Sequence, residues 1–66
     1  MLIELTRIQG EERTTFWVNS DHILMLTRVP VASPEAKSVL QLVGYASNVF
    51  VAETPEEVLA RIKAAQ

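Results

Sequence analysis

The chain has no cysteine and only one histidine among its 66 residues. The missing cysteines exclude a disulfide framework. With a single imidazole beside them, they also exclude a tetrahedral structural metal site, so no metal and no cofactor is expected. Glycine occurs twice, at Gly10 and Gly44, each time alone, so no glycine-rich loop is present to cradle a phosphate. Long apolar runs are missing too. The stretch 23–26 is among the longest and is far too short to span a membrane, so no membrane insertion is expected. Met1, Leu2 and Ile3 lead directly into Glu4 with no basic start, which predicts no secretory signal and a cytoplasmic location. A net charge of −2 argues against a protein whose main task is neutralising phosphates.

What is present is apolar side chain, 48% of the composition, in one small domain covering residues 1–66. Chains below roughly 70–80 residues lean on disulfides, a metal or a partner subunit for stability. The first two being excluded, a homodimer is the expected solution.

The clearest local signal lies in the last third. Thr54 stands where a helix N-cap belongs, Pro55 at the first helical position, and Glu57 three residues after Thr54. This is a capping box, and Glu56 and Glu57 also suit the positive end of the helix dipole. A helix over about 55–64 follows, with Val58, Leu59 and Ile62 as its apolar stripe and Glu57–Arg61 spaced as an exposed ion pair. A helix this short is marginal in water and must lie on the β-like chain before it.

Five strands are predicted, over about 2–8, 14–18, 23–29, 38–43 and 48–52. The first buries Ile3 and Leu5. Gln9 to Arg13 is a polar turn in which Gly10 supplies a positive φ. The second strand alternates, with Phe16 and Val18 on one face and Thr15 and Trp17 on the other. Asn19-Ser20-Asp21 is a turn cluster whose side chains can bond the local backbone. The third strand is apolar on both faces over 23–26, which asks for cover from the helix or from a second subunit. Residues 30–37, with Ser33 and Pro34, read as a loop. The fold class is therefore mainly β (α+β), an antiparallel meander curled into a half-barrel with one C-terminal helix. The alternative is an open sheet with the helix across one face.

No constellation for catalysis emerges, and the chain is read as a non-enzyme. Ser20 and Ser47 lack a nucleophile motif, and His22 beside Asp21 reads as an ordinary strand-edge histidine, since neighbours on a strand face opposite ways. Glu56 and Glu57 are helix N-terminal acids, not a catalytic carboxylate pair. The nearest thing to a recognition surface is Trp17 with Arg7, Arg13 and Arg28, to which Tyr45 is added from a turn. Trp17 is open to three readings: core or self-interface, protein contact, or a base-stacking platform.

Four segments carry a family resemblance: Leu5-Thr6-Arg7-Ile8-Gln9-Gly10, Val18-Asn19-Ser20-Asp21-His22-Ile23, Val39-Leu40-Gln41-Leu42-Val43-Gly44, and the run from Val49 to Val58. Together they resemble the small flagellar and swarming-motility proteins of the FlbD/SwrD type. The departures are the insertion over 30–37 and the bulky turn at Tyr45. The resemblance implies a cytoplasmic accessory protein without catalytic residues. Met1-Leu2-Ile3, Leu5-Thr6-Arg7 and the stretch from Glu56 to Ile62 are also similar to the two ends of the carbon storage regulators (CsrA-like), intertwined dimeric RNA-binding proteins. Where that family carries a basic pair after the last strand, this chain has Ala52-Glu53, and an acid there repels phosphate. The expected function is a protein–protein interaction module of the motility-accessory kind. A phage- or operon-encoded regulator that binds a host protein ranks second, and an RNA-binding translational regulator third.

Overall fold

A computed structural model describes residues 1–29 and 35–66. Five antiparallel strands form one sheet, and a single helix closes the chain. The strands are β1 (Leu2–Gln9), β2 (Glu12–Asn19), β3 (Ile23–Arg28), β4 (Ser38–Leu42) and β5 (Val49–Val51), and the helix is α1 (Pro55–Ala65). The expected fold class is observed, and boundaries move by one or two residues. Of the loop expected over 30–37, residues 30–34 lie outside those described. Lys37 already belongs to the sheet, accepting from Val29 N–H and donating to the Val51 carbonyl.

The strand order is β2-β1-β5-β4-β3. In a plain meander β2 would lie beside β3. Here the two occupy opposite edges, and β5 is inserted between β1 and β4. Yet only the short 3-10 turn Ser20–His22 joins β2 to β3. A link of three residues can connect opposite edges only if the sheet coils until they meet, which makes the half-barrel with tilted strands the form adopted. Backbone bonds anchor the turn at both ends, to the start of β1 and to the end of β4: Ser20 N–H donates to Met1 O, and Val43 N–H to His22 O.

Local chemistry explains the corners. Gly10, with φ +63°, takes the first of the two residues between Gln9 and Glu12, the place that a type II′ hairpin turn reserves for glycine. Asn19 caps the 3-10 turn, its side-chain oxygen accepting from Asp21 N–H at 3.0 Å. His22 lies in that turn, not on a strand edge as expected.

Alternation assigns the faces. The inner side collects Ile3 and Leu5 from β1, Val18 from β2, Leu40 and Leu42 from β4, and Val49 and Val51 from β5, all buried. Val58 from α1 completes this core, with Phe16, Ile23, Leu26, Ile62 and Ala65 packed at its margin. Two expectations need correction. The helix stripe is Val58, Ile62 and Ala65, spaced i, i+4, i+7, while Leu59 is exposed, one residue round from Val58. And β3 is not buried on both faces: a bulge between Ile23 and Met25 leaves Leu24 and Met25 exposed.

The capping box forms in full. Glu57 N–H donates to Thr54 Oγ1 at 3.1 Å, and Thr54 N–H donates to Glu57 Oε1 at 2.9 Å. These bonds to the Thr54 backbone and side chain lower the Glu57 pKa below its ordinary value of 4.5. With Glu57 so engaged, the expected Glu57–Arg61 ion pair gives way to another, between Arg61 and Glu53.

Candidate functional site

Glu53 is buried just after the chain leaves β5, and it resolves a problem that the shortness of β5 creates. Three residues cannot pair the whole length of β1. The ladder covers Arg7 and Ile8, and Ala52 N–H reaches Thr6 O at 2.9 Å. Beyond that point the backbone of β1 would be left without partners, a costly outcome beside a core. Side chains continue the ladder instead. Thr6 N–H donates to Glu53 Oε1 at 2.9 Å, and Arg61 Nη1 donates both to Glu53 Oε2 at 3.0 Å and to Glu4 O at 2.8 Å. The Glu53 carbonyl accepts from the fully buried Ser38 hydroxyl at 2.7 Å. One residue thus ties β1, β4 and α1 together. Glu53 was expected as an acid facing any approaching phosphate; it is a buried structural carboxylate partnered by Arg61.

The four residues expected to mark a recognition surface do not converge. Arg7, half-buried, belongs to the inner set, as its partner Val51 shows, whereas Trp17 lies opposite the exposed Glu4 on the outer face. Arg28 shares the row of Arg7, through Val51 and Ser38. Three strand spacings, roughly 14 Å along the sheet, separate the two. The two are therefore not cross-strand neighbours, and β5 and β4 stand between them. Arg28 is also already ion-paired with Glu56. Arg13 is exposed on the outer face opposite Ile8, and Tyr45 is exposed in the turn after Gly44.

Trp17 is not core. It is 61% exposed, and on β1 its neighbours are Glu4, directly opposite, and Leu2, one pair further along and exposed as well. A diagonal neighbour lies within reach of an aromatic side chain. Leu2 and Glu4 also border a shallow groove of about 390 Å³, completed by Ile3, Arg61, Ala64 and Ala65. Small alanines on its helical wall keep it open. The groove itself offers an aliphatic floor and a guanidinium already shared with Glu53, and Trp17 stands outside its lining, across Leu2 and Glu4. Sequence reasoning missed Leu2 and Glu4 here, although their alternation with Ile3 and Leu5 placed them on the outer face.

Among the described residues no three His, Asp or Glu side chains gather as a metal site would require, and a second cavity, bordered by Met25, Val39 and Gln41, holds about 40 Å³. No helix among the described residues is long and apolar enough to cross a membrane. Comparison with family models, with curated proteins and with solved structures finds no match.

Proposed function

We propose that this protein is a small non-catalytic interaction module that works as a homodimer and binds another protein through the Trp17 face. The observation that supports it is the exposed tryptophan beside Leu2 and the alanine-walled groove, on a scaffold whose buried polar side chains are all satisfied among the described residues. A solvent-exposed tryptophan with aliphatic neighbours is the composition of an interaction hot spot. Glu4 at its side favours a partner segment that offers an apolar side chain next to a lysine or arginine. The role fits the motility-accessory resemblance, since such a protein needs a contact surface and no reactive group. Translational control through RNA is disfavoured by the separation of Arg7 from Arg28 and by the engagement of Arg28 with Glu56.

The test is affinity capture from the native host with the wild-type protein and with Trp17→Ala, read by quantitative mass spectrometry. A partner enriched by the wild type and lost with the variant is expected. Identical capture by both proteins would refute the assignment to this face. RNA recovered with the wild type in a salt-sensitive complex would refute the ranking.

A further inference from the structure

The outer side of the sheet has a second apolar area, away from Trp17. Ile8, Phe50 and Val39 are direct cross-strand partners on β1, β5 and β4. Met25 pairs with Gln41, two positions from Val39 on β4, and Leu24, in the bulge beside it, is exposed as well. Val43 extends the patch past the end of β4. Phe50 is 45% exposed, Met25 58%, Leu24 64% and Val43 49%. Thr27, Gln41 and Asn48 fill the space between them, so the middle of the patch has no charged side chain.

We infer that this face of β3, β4 and β5 is where a second copy of the chain packs, a proposal that rests on the homodimer reading above. Area is the first argument. At roughly 150–200 Å² per large side chain, the four residues expose on the order of 400 Å² of apolar surface, with half-buried Ile8 and Val39 adding to it. A standard interface buries about 800 Å² per partner, and in homodimers about 65% of that is apolar, or roughly 520 Å². The patch is of the size that a stable dimer of this chain needs. Composition is the second argument. The middle of the patch is uncharged and so complementary to itself, and a two-fold axis through it can bring identical surfaces together with Arg13, opposite Ile8, left at the rim. The third argument concerns the edge beside the patch: β3 carries a bulge, which twists it away from strand addition there and leaves the face as the surface these strands offer.

Sedimentation equilibrium of the wild type, Phe50→Glu and Met25→Glu tests the proposal, with far-UV circular dichroism confirming that each variant is folded. The wild type is expected to dimerise. Each variant is expected to raise the dissociation constant at least a hundredfold, equivalent to about 2.8 kcal/mol. The absence of cysteine supplies a second readout: Gln41→Cys should oxidise to a disulfide-linked dimer, and Lys63→Cys on α1 should not. If a variant fails to fold, the cysteine pair decides. A wild type that stays monomeric at about 100 μM, a weak affinity on the usual scale, would overturn both the homodimer and this surface. A dimer that survives both glutamates, or that links through Lys63→Cys instead of Gln41→Cys, would overturn this surface alone.

Discussion

Replacing Glu53 by alanine isolates the side-chain continuation of the β1 ladder. The substitution keeps the main-chain carbonyl that accepts from Ser38 and removes only the carboxylate. Two donors lose their acceptor. The Thr6 N–H is part-buried, and a donor left unpaired costs about 1–3 kcal/mol. Arg61 is different, because its side chain is 42% exposed and water can replace the lost partner. Its share is correspondingly small, a few tenths to about 1 kcal/mol. The expected total is about 1–4 kcal/mol, set against a stability of about 3–10 kcal/mol for a domain of this length. Urea unfolding followed by circular dichroism reads it directly: at a slope of about 1 kcal/mol/M the midpoint should fall by about 1–4 M. A companion cycle with Arg61→Ala and the double variant should show the two substitutions to be non-additive. A midpoint shift under about 0.5 M for Glu53→Ala would refute the reasoning, because the ladder would then end without needing the carboxylate.

Other consequences are simpler to state. Thr54→Ala should lower stability by about 1 kcal/mol through the lost cap bond, measured as a reduced midpoint. Val58→Ala, at a fully buried position, should cost about 2–3 kcal/mol, whereas Leu59→Ala on the exposed side of α1 should change thermal unfolding little. The lowered pKa of Glu57 fixes a sign. The cap contribution is present above the ordinary glutamate value and is lost as the pH falls through the depressed folded value. Glu57→Gln should therefore show a shallower loss of urea midpoint between pH 6 and pH 3 than the wild type. Titration with short RNA hairpins at physiological salt should give no submicromolar complex; a tight one abolished by Arg7→Ala would contradict the separation of the two arginines.

Sequence signals with a short range are the ones that translate into structure here. The capping box, the glycine of the first hairpin, the Asn19 turn and the Phe16/Val18 alternation all depend on residues within a few positions of one another. The strand order does not, because pairing of β5 with β1 is decided by contacts between opposite ends of the chain. The role of Glu53 is hidden for the same reason. Nothing beside it in sequence announces that its carboxylate will meet the Thr6 backbone, and Arg61 has an equally well spaced alternative in Glu57. The error over Leu59 has another origin: three apolar residues in five invite a single stripe, but only Val58 and Ile62 are a helical turn apart. At β3, apolar residues on both faces suggested a strand covered on both sides, but the bulge leaves Leu24 and Met25 exposed. Of the residues expected for recognition, Trp17 is exposed on the outer face, while Arg7 and Arg28 are distributed along the inner row.

The position of β5 between β1 and β4 gives the molecule an order in time. As the chain is made, β1 and β2 can pair as one hairpin, and β3 can pair with β4 as another. Neither has a hydrogen-bonded connection to its counterpart until Val49–Val51 exists. Two-stranded hairpins alone are marginal in water, so the nascent chain gains little lasting structure from its first forty-odd residues. Arrival of the fifth strand joins both hairpins in one step, and Glu53 and α1 follow immediately to secure the seam. Folding should therefore be all-or-none with respect to this segment, and a chain released before Val51 should be degraded or aggregate without ever holding part of its native shape.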